Sequence, residues 1–230
     1  MMEAMSYKIR LEILLEYVFQ RLIFCRQTER NLFQPLLSLL MLVILSPLFL
    51  LISGLIFLED GASPFYYQTR VGKDNKLFSV LKFRSMKVNA ESATGPTLSY
   101  IGDDRVTKIG RFLRALHLDE LPQLVNVLKG DMDFIGPRPE RPCFVNKYCE
   151  EIPSYAERSM VRPGITGLAQ VMLPYGASAR EKLDFDRFYI KYHNSIVLKM
   201  MVLFLTMLKM MQMPFFSEKM NKFINEAANG

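Results

Sequence analysis

The amino-acid sequence predicts an α+β fold that is mainly helical, with one membrane segment and one small polar domain. Residues 36–58 carry no charged side chain, and such a run is typical of a helix in lipid. Two short β-prone runs, 65–67 and 77–81, flank the turn residues 72–75, which predicts a β-hairpin. Apolar residues at helical spacing follow between residues 108 and 213. Half of all residues are hydrophobic, which agrees with partial contact with lipid.

The charge and cysteine content narrow the classes of partner. The formal net charge is +6, which favours an anionic membrane surface or an anionic substrate. No run of five or six basic residues is present, so we expect no nucleic-acid partner. Cys25, Cys143 and Cys149 are odd in number and their spacing fits neither a zinc site nor a disulfide framework. We expect reduced thiols on the cytosolic side.

Residues 1–34 form an N-terminal amphipathic extension. Its apolar residues follow helical spacing and alternate with acids and bases, which is typical of a helix on the membrane surface. A helix docked on the protein itself fits the pattern equally well. No basic segment and small-residue cleavage site frame a short apolar core, so a cleaved signal is not expected.

Residues 35–59 form the membrane segment. A straight helix of that length would cross the hydrocarbon core, but Ser46 and Pro47 interrupt it near the middle. Proline removes a backbone donor and kinks a helix, and the serine hydroxyl can satisfy a freed carbonyl in lipid. A kinked spanning helix and a re-entrant hairpin both remain open. The residues alone favour spanning.

Residues 60–214 form the main domain, and a tail follows at 215–230. After the β-hairpin we expect a surface loop at 89–104 and turns at 136–142 and 162–167. Helices are predicted at 108–116, 122–128 and 180–192, with Gly130 as a C-terminal cap. The apolar run 196–213 contains Lys199 and Lys209. These lysines favour an interfacial helix whose ammonium groups reach water over a second spanning helix.

Two adjacent acids, Asp119 and Glu120, lie just before the helix predicted from Pro122. Acids at this position often cap a helix and complement its dipole, and the residue types alone favour that role. The functional alternative is a division of labour between the two carboxylates. One could attack phosphorus as a nucleophile, and the other could hold a divalent cation.

Five cationic residues could contact a phosphorylated substrate. Lys82 and Arg84 alternate on the second predicted strand, so we expect both side chains on one side. Taken singly, each cation is more typical of a solvated surface, but rigid glycine or proline neighbours favour a phosphate contact for some of them. The candidates are Lys82, Arg84, Arg114, Arg138 and Arg162.

Several motifs in fixed order resemble one family. They are KFRSM (82–86), LDELPQL (118–124), NVLKGDM (126–132), GPRPE (136–140) and RPGITG (162–167). The chain resembles the bacterial sugar transferase family, the monotopic phosphoglycosyl transferases, also described as polyprenyl-phosphate sugar-1-phosphate transferases. The Pro174-Tyr175-Gly176 run is similar to the branch associated with exopolysaccharide export. Members usually carry tryptophan after RPGITG, whereas this chain has none.

The resemblance implies a reaction and its site. The donor would be a UDP-sugar, and Asp119 would attack its β-phosphate and expel UMP. Undecaprenyl phosphate would then take the phosphosugar from the aspartate. Glu120 would bind Mg²⁺ (or Mn²⁺), and Lys82, Arg114, Arg138 and Arg162 would contact phosphate or nucleotide.

The resemblance also implies a location. The break at Ser46 and Pro47 would make the membrane segment re-entrant, reversing the preference for spanning. The catalytic domain would then lie on the cytoplasmic face of the bacterial inner membrane, in contact with membrane lipid. A homodimer is compatible with this arrangement.

Two further functions stay open at this point. One is a catalytically silent membrane scaffold of a glycan-assembly complex. The other is a metal-dependent phosphatase that uses the same acids.

Overall fold

A computed structural model describes residues 32–92, 95–97, 100, 102–174 and 176–210. The predicted amphipathic extension lies outside these residues up to residue 31, as does the predicted tail at 215–230.

The predicted membrane segment is a pair of helices bent at Leu45. The chain direction turns by 62° between helix α1 (Phe33–Ile44) and helix α2 (Ser46–Asp60). The Ser46 hydroxyl donates to the Val43 carbonyl at 2.8 Å, which satisfies a group near the break. Within the described residues, no single helix has the length and apolarity to cross a bilayer, although the bent pair together does. The predicted break at Ser46 and Pro47 is confirmed.

Both arms of this hairpin are attached to the polar domain. In α1, Ser38 is fully buried and donates to the Leu124 carbonyl at 2.6 Å. In α2, Ile52 and Ile56 are buried against Phe83. The opposite surface of the hairpin exposes large apolar side chains, namely those of Leu36, Leu39, Leu40, Val43, Ile44, Leu50, Leu51, Leu55, Phe57 and Leu58. A continuous apolar surface of this kind is typical of contact with lipid or another protein.

The predicted β-hairpin is confirmed. Strands β1 (Phe65–Val71) and β2 (Leu77–Phe83) pair antiparallel with Phe65 opposite Phe83. The connecting turn places Asp74 and Asn75 at positive φ, a conformation that these residue types tolerate.

A second sheet was not predicted. Strands β3 (Asp133–Ile135) and β4 (Gly164–Thr166) pair in parallel and are three residues each, too short for a periodic signal. Gly136 and Gly164 lie where the two segments touch. A side chain at Gly136 would overlap the Arg162 carbonyl, so the close approach requires glycine.

Helices cover both sheets. The bounds are α3 Lys108–Ala115, α4 Gln123–Lys129, α5 Pro142–Glu151, α6 Leu168–Met172, α7 Ala179–Tyr192 and α8 196–210, with 3₁₀ turns at Leu118–Glu120 and Pro153–Met160. The predicted helices near 108–116, 122–128 and 180–192 are confirmed, and Gly130 ends α4 at φ 84° as expected. Helix α5 and the turn after it were not predicted.

Helix α8 packs one face into the core. Leu198 and Val202 are fully buried against Tyr189 and Ile135, while the other face is exposed. Lys209 is half-buried, and its ammonium donates to two backbone carbonyls, one of them that of Gln170 at 2.6 Å. The expectation that this ammonium also reaches water stays a prediction. Carbonyl groups at the end of α6 lack helical partners, so a lysine satisfies them here.

Candidate active site

The acid pair lies beside the bent helix pair α1–α2. Asp119 and Glu120 occupy a single 3₁₀ turn, entered through His117 in a left-handed conformation. Their neighbours Leu118 and Leu121 pack against the hydrophobic cluster that contains Ile52 and Phe83. The flanking leucines therefore fix the two carboxylates at the base of the apolar hairpin.

Glu120 is held by two cations. Its Oε1 accepts from Lys82 Nζ at 2.7 Å and from Arg138 Nη2 at 2.6 Å, and Oε2 accepts from Arg138 Nη1 at 3.3 Å. Burial alone would raise the pKa of Glu120, but the charges and hydrogen bonds of Arg138 and Lys82 outweigh it. The pKa is held well below its ordinary value. Glu120 is therefore ionised at neutral pH.

Asp119 has a different environment. Its side chain is buried, and it forms no salt bridge with any residue in the described part of the chain. Burial raises the pKa of Asp119, and the positive charges of Lys82, Arg114 and Arg138 partly offset that effect. One carboxylate is thus fully paired and the other is not.

The helix-capping interpretation of the two acids is wrong. The N-terminal cap of α4 is Pro122, and no side chain caps the helix there. Glu120 directs its oxygens to Lys82 and Arg138 instead of the backbone N–H groups of α4.

A buried asparagine bonds to the strand that carries Lys82. Asn126 on α4 accepts from Leu81 N at 2.9 Å and donates to Ser79 O at 2.7 Å. These bonds join β2 to the helix that follows the acid pair. Asn126 lies in the NVLKGDM motif, but the sequence analysis gave it no role. A polar residue amid apolar ones on a short helix was the available signal.

Arg138 and Arg114 both lie close enough to act on Asp119 electrostatically. Arg138 comes from the loop between β3 and α5, between two prolines that restrict its backbone. Arg114 lies in the last turn of α3, and its Nε donates to the Ser85 hydroxyl at 2.8 Å. The structure thus brings together Lys82, Arg114 and Arg138 around the acid pair.

Arg84 and Arg162 lie elsewhere. Arg84 follows the end of β2 and forms a two-bond ion pair with Asp60, at 2.7 and 2.5 Å. Lys82 and Arg84 thus bind different acids, and the expectation that they share one side of the strand stays a prediction. Arg162 pairs with Asp133 at 3.6 Å. Their phosphate contacts stay predictions.

Arg70 lies next to the loop that carries Arg138 and was not among the predicted site residues. Burial and the neighbouring charge of Arg138 lower the pKa of Arg70 to about 10. Its Nη1 donates to the Pro139 carbonyl at 3.1 Å. The available signal was its position two residues before the predicted turn at 72–75.

The donor set suits a divalent cation that is shared with a phosphorylated substrate. The described residues contain no group of three or more His, Cys, Asp or Glu side chains that could enclose a metal. Mg²⁺ is often bound through only one or two carboxylates, with waters and substrate phosphates completing its shell. Among the described residues, Asp119 forms no salt bridge and Glu120 Oε2 has only the longer 3.3 Å contact, so the pair fits that role.

Comparison with known proteins gives consistent matches. The model of the family described as bacterial sugar transferase matches residues 25–213. A UDP-N-acetylgalactosamine-undecaprenyl-phosphate N-acetylgalactosaminephosphotransferase from Aeromonas hydrophila is 45% identical over 174 residues, which is 74% of this chain. A UDP-glucose:undecaprenyl-phosphate glucose-1-phosphate transferase from Caulobacter vibrioides is 46% identical over 134 residues, or 57% of this chain.

A third relative is matched over most of its own length. Exopolysaccharide production protein ExoY from Sinorhizobium fredii is 37% identical over 189 residues, covering 76% of this chain and 81% of that protein. By contrast, the match spans only 41% of the Aeromonas relative and 49% of the Caulobacter relative.

Proposed function

Because the chain belongs to the bacterial sugar transferase family, we propose that it transfers a sugar-1-phosphate from a UDP-sugar to undecaprenyl phosphate. The proposed product is a lipid diphosphosugar, and the proposed role is the first membrane step of exopolysaccharide or other surface glycan synthesis. Relatives named for this reaction and for exopolysaccharide production support it. The named sugars differ between relatives, so the donor sugar is left open.

The proposed chemistry has two displacement steps at one phosphorus atom. In the first, an Asp119 carboxylate oxygen forms a bond to the β-phosphorus, and the bond from that phosphorus to the bridging oxygen breaks. UMP leaves with the electron pair. In the second, an oxygen of undecaprenyl phosphate attacks the same phosphorus, and the aspartate carboxylate leaves. Both steps balance without an added proton or oxidant.

The observation that carries the proposal is the unequal pairing of the two acids. Glu120 accepts three charge-assisted hydrogen bonds, and the two short ones both go to Oε1, so Glu120 is held in place while Oε2 keeps room for a cation. Asp119 lies in the field of the same cations with no salt bridge among the described residues. A nucleophile needs a free lone pair, and preorganised cations stabilise charge that develops on a transferring phosphoryl group.

We assign the divalent cation to Glu120, with the diphosphate of the donor completing its shell. When bound, Mg²⁺ (or Mn²⁺) would neutralise charge on the diphosphate. Lys82 and Arg138 orient Glu120, and Arg114 adds positive charge beside Asp119. Glu120→Gln should raise the metal concentration needed for half-maximal activity, and an unchanged metal titration would argue against ligation.

We further propose that α1 and α2 form a re-entrant hairpin in the inner membrane, with the catalytic domain on the cytoplasmic face. The 62° bend and the exposed apolar surface of the hairpin support this. A UDP-sugar is water-soluble and the acceptor phosphate lies at the headgroup layer, so both can meet Asp119 there. Pro47→Ala should favour a straight helix and move a tag at residue 1 across the membrane. An unmoved tag would show that Pro47 does not set the topology.

The decisive experiment follows UMP release from a panel of UDP-sugars, with and without undecaprenyl phosphate. Asp119→Asn should abolish turnover and leave no trapped phosphosugar adduct, whereas wild type should trap one when the lipid is withheld. Activity near wild type in Asp119→Asn would remove Asp119 from the role. Release of inorganic phosphate or sugar phosphate without lipid would indicate a phosphatase. No product with any donor would favour the scaffold.

A further inference from the structure

The loop that carries Arg138 is held almost entirely through its carbonyl groups. Prolines 137 and 139 have no N–H, so they cannot donate hydrogen bonds. The carbonyls of residues 137 to 140 each accept one bond from another segment. The donors, in that order, are Gly164 N at 3.0 Å, Arg158 Nη2 at 2.9 Å, Arg70 Nη1 at 3.1 Å and Val71 N at 3.0 Å.

Arg158 makes the bond to the carbonyl of Arg138 itself. Its Nε donates to Asp186 Oδ2 at 2.6 Å, and its Nη1 donates to the Tyr155 hydroxyl at 2.8 Å. The guanidinium also lies over the Tyr155 ring, 4.9 Å from its centroid. With all three nitrogens bonded, the plane of the guanidinium has one orientation, and Nη2 can point only at Arg138.

Asp186 anchors this arrangement from helix α7. It is 1% exposed, and its Oδ1 has no hydrogen-bond partner in the described part of the chain. A buried ion pair with an unsatisfied oxygen is a poor way to stabilise a fold, since well-packed apolar residues often do as well or better. Its fixed geometry instead joins α7 to the backbone of a residue that binds Glu120.

We propose that Arg158, anchored by Asp186, is a positioning residue that sets the guanidinium of Arg138 on Glu120. The inference rests on the proposed function, because its consequence is measured as transfer of the phosphosugar. Loss of the 2.9 Å bond frees the proline-flanked backbone, and Arg138 then no longer meets both oxygens of Glu120. A displacement of about 1 Å at such a group lowers the rate by up to about 100-fold.

The test is a double-mutant cycle with Arg158→Met and Arg138→Ala, read on kcat for UMP release and on thermal unfolding. Arg158→Met alone should lower kcat about 10- to 100-fold. In the Arg138→Ala background it should lower kcat no further, because the guanidinium that it positions is gone. Its effect on the unfolding midpoint should be the same in both backgrounds, since the carbonyl of residue 138 remains.

Two additional variants distinguish a loss of positioning from a folding defect. Asp186→Asn keeps the shape of the anchor and should reproduce part of the kcat loss. Arg187→Met removes an exposed ion pair with Glu157 from the same helix and should leave kcat unchanged. Equal losses of kcat from Arg158→Met in both backgrounds would overturn the inference, because they would indicate a general structural effect.

Failure of the proposed function is recognised separately. It would appear as absence of UMP release in the wild-type protein. The same four proteins are then compared by their affinity for UDP, whose phosphates would meet Arg138. Non-additive losses of affinity would still support the positioning role, and additive losses would overturn it.

Discussion

Replacing each acid by its amide should affect stability differently, with a clear loss only for Glu120→Gln. Glu120→Gln removes the negative charge that Lys82 and Arg138 share and leaves two cations without their partner. Breaking a buried ion pair costs about 3–5 kcal/mol. The side chains of Lys82 and Glu120 are 17% and 11% exposed, so their bond counts almost fully, whereas that of Arg138 is 41% exposed and counts less. We therefore expect a loss of about 3 kcal/mol.

Asp119→Asn should leave stability unchanged or raise it slightly. The pKa of Asp119 is raised in the folded protein, so its ionised form at neutral pH opposes folding. That cost is present above the raised pKa and disappears as the pH falls below it. The advantage of Asp119→Asn over wild type should therefore shrink between pH 7 and about pH 4.

The contribution of the Glu120 carboxylate to stability has the opposite sign. Its pKa is lowered, so its stabilisation is present above the pKa of the unfolded chain and is lost only as the pH falls through the lower folded value. The deficit of Glu120→Gln should accordingly persist at pH 5.

The assay is thermal unfolding of the detergent-solubilised protein, followed by circular dichroism. A loss of about 3 kcal/mol corresponds to a midpoint about 6–12 °C lower for a chain of this size. Glu157→Gln is the matched control, because its pair with Arg187 is exposed and should contribute about 0.5 kcal/mol or less. The reasoning is refuted if Asp119→Asn proves less stable than Glu120→Gln.

Three further predictions concern the supports of the site. Asn126→Ala should destabilise the fold by about 1–3 kcal/mol, because it removes the partner of two backbone groups of β2, and should lower kcat by displacing Lys82; full activity would contradict this. Ser38→Ala should lower the unfolding midpoint by about 2–4 °C through loss of one buried hydrogen bond, and an unchanged midpoint would show that this bond does not hold α1. Because burial raises the pKa of Asp119, the rate of UMP release should fall on the acid side above pH 4, where an ordinary aspartate is still ionised; a flat profile from pH 8 to 4 would exclude Asp119 as the nucleophile.

Local features of the chain were predictable because their causes are local. The break at Ser46 and Pro47 follows from the missing backbone donor of proline. The hairpin at 65–83 follows from β-prone runs around a turn, and Gly130 ends a helix because glycine accepts positive φ. Strands β3 and β4 were not predicted. They are defined by backbone pairing with each other, and three residues are too few to show a side-chain period.

The chemistry of the acid pair depended on distant residues. The sequence by itself determined that two carboxylates are adjacent at 119 and 120, and it provided five cationic candidates for the same site. Only the tertiary structure decided that Glu120 is paired and Asp119 is not, because Lys82 lies 38 residues away in sequence and Arg138 lies 18 away. The same folding carries Arg84 to Asp60 and buries Arg158 behind Arg138. Charge pairing depends on distance in space, and that distance is set by how β2, α4 and the proline loop pack.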